Sequence, residues 1–374
     1  MKKFDKDRVL VAVAGPVIAL VAAILLTSVV LIASGKNPFE PYGLMLEQVG
    51  YSDVQVLIIN QASLYYIAAL GVALGFRMNL FNIGVDGQYR LGAMMTAVVG
   101  AHVALPSFLQ IPMLLLVGAL TGAFWAGIAG VLKVTRGVSE VVATIMLNAI
   151  ATSLIGYLTL RDNFGVLVGD NVTTGVMKKS GWVPGIDLGE DVGEIYGLVF
   201  LAVALGIGYW LVLNRTRFGF DLRATGESET AAAASGVSAK RMVLTAMLIS
   251  GAVAGISGLP LLLGDAHTYS LSFPAGLGFT AIGIALLGRN NPGGIALAAL
   301  LWAFLDKASP ALDYATPVAY DKEIATIMQG LIVFAVVISY EAVRQWGLRR
   351  QQKRVGAELA AAAAQNTQKK EVAV

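Results

Sequence analysis

The chain has 374 residues, 56% of them hydrophobic and 14% charged, against roughly 25% charge in an ordinary soluble domain. Its net charge of +3 is too small to point to nucleic acid, and its long uninterrupted apolar runs exclude a large soluble helical protein. With no cysteine, disulfides and thiolate chemistry are excluded; with only His102 and His267, neither a histidine-built metal centre nor any cofactor is expected.

From the N-terminus, MKKFDKDR precedes an apolar run over Val9–Ala33. That run is too long for the 7–15 residues, or about that, of a secretory h-region, so it reads as a retained first span. Further uncharged stretches at 55–76, 80–105, 111–132, 140–160, 196–213, 243–263, 276–288, 294–308 and 324–340 are candidate spans. The expected fold is therefore all-α, a polytopic membrane protein with about ten transmembrane helices. Lys and Arg fall mostly at one side if the N-terminus starts inside: Lys2 to Arg8, Arg77, Lys133 and Arg136, Arg215 to Arg241, Arg289, and Arg344 to Arg354. Because cytoplasmic loops retain positive charge, both termini are expected in the cytoplasm. This divides the chain into a cytoplasmic segment 1–8, a membrane domain 9–345 and a cytoplasmic tail 346–374, alanine-rich and partly disordered. The stretch 276–288, barely 13 residues long, is either a short tilted helix or a re-entrant segment.

NLFNIGVDGQYRLGA, residues 79–93, is unusually polar for its surroundings. Asp86 and Arg90 are spaced to meet on one helical face, Gly84 and Gly87 permit backbone bends, and Asn82 and Gln88 supply donors and acceptors. A broken helix is tolerated at membrane depth only where it is buried in protein or lines water. The stretch is thus either an irregular element beside a translocation path or a purely structural break braced by the Asp86–Arg90 pair. In SEVVATIMLNAIATS, Glu140 suits the positive start of a helix. Asn148, two turns deeper, either faces a cavity or makes an interhelical hydrogen bond. The spacings Gly71/Gly75, Gly118/Gly122 and Gly251/Gly255 are packing signals.

Residues 161–195 form a polar, Gly-rich external connection, suited to an external partner or to joining two helices. Residues 214–241 form a second long loop, on the positive side. Its alanines favour a stubby helix, with Glu227 and Glu229 in the first turn, Gly236 in the left-handed position after its end and Ser238 capping the next helix. The stretch 272–294 is again rich in Gly and Pro. No GxxxxGK[ST] loop is present, so the chain has no Walker-type means of hydrolysing ATP, and neither a Ser/His pair nor HExxH supports an intramembrane enzyme.

FNIGVDGQYRLGA, EVVATIMLNAIA, LRATGESETAAAASGVSAKR and PAGLGFTAIGIALLGRNNPGG, in this order, resemble the permeases of bacterial ATP-binding-cassette importers, the group for ribose, branched-chain amino acids and nucleosides. The resemblance spans roughly residues 10–345, and FNIGVDGQ and the MLN motif are most similar to the nucleoside, or simple-sugar, branch. It implies a non-catalytic pathway subunit in the bacterial cytoplasmic membrane. Its partners would be a cytoplasmic ATPase, a second and related permease, and an external binding lipoprotein or periplasmic protein, all at a lipid bilayer. It implies that Phe81, Asn82, Asp86, Gln88 and Asn148 line the substrate route, and that the loop with Arg223, Gly226, Glu229, Ala231, Ala232 and Gly236 couples to the ATPase. The family's Glu-Ala-Ala…Gly signature is matched only loosely here. The competing expectation is a stand-alone channel or ion-coupled carrier for a small polar solute.

Overall fold

A computed structural model describes residues 6–169, 171–314 and 320–339, with 345 and 352 in addition. Met1–Asp5 and, apart from Gln352, the tail over 346–374 lie outside the described residues, as do the basic residues of the Arg344–Arg354 cluster.

The chain divides into two units, residues 1–39 with 327–374, and residues 40–326. The first contains α1 (Lys6–Ala33), whose Pro16 lies inside the helix. The second begins with the short α2 (Glu40–Gln48) and continues through α3 (Ser52–Phe76), α4 (Val85–His102), α5 (Ser107–Arg136) and α6 (Glu140–Leu158). After an irregular segment come α7 (Val199–Arg215), α8 (Arg217–Glu227), α9 (Glu229–Ala234), α10 (Ala239–Ile256) and a short turn, α11 (Leu259–Leu261). The last helices of the second unit are α12 (Leu277–Leu287) and α13 (Pro292–Ala308); α14 (Glu323–Ser339) starts in the second unit and belongs to the first from Ile327 on.

Each of the ten apolar stretches coincides with a helix among the described residues, but length and composition qualify six as spans, or seven if the pair α7 and α8, bent by 72°, is one. The shortfall has local causes. α4 carries Asp86, Gln88 and Arg90 in its first turns, while α12 and α14 are short. The chain is a mostly helical, polytopic membrane protein.

α3 is buried on nearly every side from Ala62 to Gly75, so it forms the axis of the second unit. α5 and α10 pack at glycine: a Cβ on Gly255 would overlap the carbonyl of Gly118, and one on Gly122 the carbonyl of Gly251. Helices without a hydrophobic drive to associate in lipid gain from such backbone contact. The Gly118/Gly122 and Gly251/Gly255 spacings seen in the sequence are therefore packing surfaces; Gly71 likewise faces α10 at the carbonyl of Ser250, whereas Gly75 faces the carbonyl of Leu80 in the turn that closes α3.

The segment 161–195 folds into two small hairpins, β1 (Val166–Val168) with β2 (Asn171–Thr173), and β3 (Ile186–Asp187) with β4 (Glu194–Ile195). It is tied to the bundle. Asn60 of α3 donates to the carbonyl of Glu194 (2.8 Å) and accepts from the amide of Tyr196 (2.9 Å), and the amide of Met177 donates to the carbonyl of His267 (2.9 Å).

Candidate functional site

The polar stretch after α3 starts with a helix stop. Asn79 has φ +56°, the amide of Leu80 donates to the carbonyl of Gly75 (3.0 Å), and that of Asn79 to Phe76 (3.2 Å). This paired closure needs a residue that tolerates the left-handed region, and Asn does so better than most. Residues 80–84 then run without helix until α4 begins at Val85.

Gly84 and Gly87 do not supply unusual backbone angles: Gly84 has φ −73°, and neither glycine has positive φ. They supply space. A Cβ on Gly87 would stand 2.9 Å from that of Ala151 and 3.0 Å from the amide oxygen of Asn148 on α6.

Inside the break, Asn82 and Gln88 are 1% and 0% exposed and bond each other twice. Asn82 Nδ2 donates to Gln88 Oε1 (2.9 Å), and Gln88 Nε2 donates to Asn82 Oδ1 (2.8 Å). Asn82 also donates to Ser250 Oγ (2.9 Å) and accepts from the amide of Gly84 (3.2 Å), while Ser250 donates to the carbonyl of Gly71 (2.7 Å). The amide of Asn82 is therefore fully used within the protein. Asn148 is similarly engaged: its Oδ1 accepts from the amide of Gly87 (2.9 Å), and its Nδ2 donates to the carbonyl of Ile83 (2.9 Å). Backbone groups left orphaned by the missing turn of helix are thus satisfied by side chains from α6, as burial requires.

Asp86 and Arg90 do lie on one face, but their closest atoms are 3.9 Å apart. Each has a second partner. Asp86 Oδ1 accepts from the amide of Gly276 at the start of α12 (2.7 Å), and Arg90 donates to Thr152 Oγ1 (3.1 Å). Glu140, at the first position of α6, holds Lys133 at 2.7 Å and accepts from the amide of Phe81 (3.4 Å). Phe81 is 46% exposed and leans on Phe76 with ring centroids 5.0 Å apart. The structure thus brings Phe81, Asn82, Asp86, Gln88 and Asn148 into one region where α4, α6, α10 and α12 meet, with Asn82 and Gln88 sealed inside and Phe81, Asp86 and Asn148 at its edge. Ser250 and Thr152 escaped sequence reasoning, since lone hydroxyls in apolar helices carry no periodic signal.

The loop 214–241 contains two helices. Thr216 caps α8 by accepting from the amide of Gly219 (3.1 Å). Ser228 caps α9 by accepting from Ala231, so Glu229 sits in the first turn, as expected, while Glu227 ends α8 instead. Gly236, at φ +85°, closes α9 with Val237 donating to Ala232 (3.0 Å). Ser238 occupies the position before α10 but makes no side-chain capping bond. Ala232 is 2% exposed and faces inward, whereas Ala231, Ala233 and Ala234 face outward. Arg223 reaches back to the carbonyl of Leu213, and Gly226 rests on the backbone of Arg77 and Met78.

Residues 55–337 match the family described as "Branched-chain amino acid transport system / permease component". A glucose ABC transporter permease protein, TsgB13, of Haloferax volcanii is 31% identical over 341 residues, covering 87% of each chain. A guanosine ABC transporter permease protein, NupP, of Bacillus subtilis is 30% identical over 330 residues, covering 87% of this chain and 93% of that one. A nucleoside ABC transporter permease protein, NupB, of Lactococcus lactis is 28% identical over 335 residues, covering 87% and 90%. No solved structure matches. With three quarters of its length inside the family match and near-complete alignment to full-length permeases, the chain belongs to this permease family: it is the non-catalytic, multi-pass membrane component of an ATP-binding-cassette transporter, a class that works with ATPase and binding-protein partners.

Proposed function

We propose that the chain forms the route for a nucleoside across the cytoplasmic membrane, drawn inward by a separate ATPase. The observation that carries the substrate is its likeness, over nearly the whole chain, to permeases named for guanosine and for nucleosides. A sugar is the second reading, favoured by the comparable likeness to a glucose permease. Both cargoes are neutral polyols. Uptake of labelled guanosine, uridine, ribose and glucose by cells with and without this chain separates them: ATP-dependent guanosine uptake supports the first reading, and glucose uptake alone overturns it.

In this reading ten helices cross the bilayer and both termini are cytoplasmic, consistent with the bias of Lys and Arg towards the side of α8 and α9. The second permease is a related but different chain; NupP shares its organism with another matching guanosine permease, NupQ. An external lipoprotein or periplasmic receptor hands over the solute. Phe81, Asp86 and Asn148 border the route, with the ring of Phe81 placed to stack on a base. Asn82 and Gln88 hold that wall from behind. The ATPase seats on α9, where Glu229, Ala231 and Gly236 form the outer contour, and Ala232, Gly226 and Arg223 fasten α8 and α9 to the membrane helices. Rigid seating of so small a helix suits transmission of a rigid-body motion. Vesicles with purified protein test the stand-alone alternative, which requires solute flux without any ATPase.

A further inference from the structure

Beside the fastening of α8, the structure holds a polar cavity of about 300 Å³, lined among others by Arg77, Asn79, Arg223, Gly226, Glu227 and Asn290. Three elements converge there: the end of α3, the last turn of α8 and the turn between α12 and α13. Gly226 permits the convergence, since a Cβ there would stand 2.6 Å from the carbonyl oxygen of Arg77.

Two guanidiniums share this cavity, and each carries five N–H donors. Arg77 donates from one terminal nitrogen to the carbonyl of Asn290 (2.9 Å), and Arg223 from one to the carbonyl of Leu213. The buried Nε of Arg77 and the Oδ1 of Asn290 have no partner. Among the described residues neither guanidinium has a carboxylate within 4.0 Å; ion pairs form elsewhere, as at Lys133–Glu140. Glu227 stands exposed at the rim. Leaving two half-buried guanidiniums without a counter-charge is costly, and the chemistry that satisfies their remaining donors at once is an oxyanion with several acceptor oxygens.

We propose that this cavity is an oxyanion-binding site, in which Arg77 and Arg223 together take the oxygens of a carboxylate or phosphate group. It is separate from the substrate route. The proposal rests on the reading that α8 and α9 face the ATPase, and two sources then supply such a group: an acidic side chain of the ATPase subunit, or free inorganic phosphate. Either ties α8 to the Arg77–Met78 turn, just before the polar break at Asn82. The site therefore fixes the coupling loop to the break.

The chain lacks cysteine, so Glu227→Cys gives it a single thiol at the rim of the cavity. In the permease reconstituted in lipid, a negatively charged methanethiosulfonate should modify this thiol about tenfold faster, relative to a positively charged one, than it does in the Arg223→Gln background; equal ratios overturn the proposal. Free phosphate as the source predicts that millimolar phosphate slows the modification and raises the melting temperature. An ATPase side chain as the source predicts no phosphate effect, but about tenfold weaker ATPase binding in Arg223→Gln, with most of the affinity restored in Arg223→Lys. If phosphate does nothing and Arg223→Gln binds the ATPase like the unaltered chain, no oxyanion is held there. The reagent ratio is measured without the ATPase, so its failure is distinct from failure of the functional reading, which would appear as uptake independent of the ATPase.

Discussion

The side-chain amides of Asn82 and Gln88 face each other in a closed pair, each donating to the other at 2.9 and 2.8 Å, with almost no exposure to solvent. Such an arrangement has only one register. It fixes the first turn of α4 relative to the break, and Ser250 extends it to α10.

Truncating either amide leaves the other with buried, unsatisfied groups. Asn82→Ala or Gln88→Ala should therefore destabilise the protein by about 1–3 kcal/mol. Phe81→Ala should leave the melting temperature near that of the unaltered chain and raise KM for uptake. Thermal melts in detergent beside initial uptake rates check this; a normal melting temperature for Gln88→Ala with lost uptake would instead make Gln88 a direct substrate contact.

The glycine seam between α5 and α10 makes a sharper prediction. Gly122→Val must push the helices apart, because any Cβ there meets the backbone of Gly251 and Gly255. The cost should be several kcal/mol, at the level of overpacking or beyond, and the protein should fail to accumulate in the membrane. Gly208→Ala, where nothing lies within 4 Å, should be neutral by the same measurement of folded protein in membranes.

How much of this was legible in the sequence depends on the range of the interactions. The glycine spacings and the left-handed Gly236 were readable because they are local: one helix face, one helix end. The polar break was recognisable as a break, because five polar residues and three glycines fall within residues 79–93 of an apolar run. Its internal bonding was not, since Ser250 lies 168 residues from Asn82 and Gly276 lies 190 from Asp86. For the same reason the expected bend at Gly84 and Gly87 proved to be close approach to α6, and the inward turn of Ala232 was invisible beside its three identical neighbours.

Lys133 and Glu140 form the tightest ion pair among the described residues, at 2.7 Å, with the glutamate side chain 9% exposed. Removing only the lysine strands a buried charge that also holds the amide of Phe81. Lys133→Met should cost about 1–3 kcal/mol, whereas the double variant with Glu140→Gln should recover part of that loss. A double-mutant cycle of melting temperatures checks the coupling, and strict additivity would mean that the two side chains act independently.

The exposed and buried alanines of α9 should part company. Ala233→Trp enlarges the outward surface and should abolish ATP-driven uptake while leaving the permease folded. Ala232→Trp is directed into the protein and should lower the melting temperature first. Uptake and thermal stability measured on both variants decide it; normal uptake by Ala233→Trp would remove α9 as the ATPase seat.

The attachment of residues 161–195 carries a pH dependence whose sign follows from one ring. His267 stacks on Trp182, with centroids 3.8 Å apart and planes 5° from parallel, and its buried Nδ1 has no partner. Burial lowers its pKa below the usual 6.5, outweighing the opposing pull of the Asp265 and Glu194 carboxylates. A histidine that is harder to protonate in the folded state contributes stability that is complete above its unfolded value of about 6.5 and is lost as pH falls through the folded value. The unaltered chain should therefore lose melting temperature between about pH 7 and pH 5 more steeply than His267→Phe, which keeps the stacking without the titration. Parallel melting curves for the two across that range would mean that protonation of His267 does not weaken the attachment of residues 161–195.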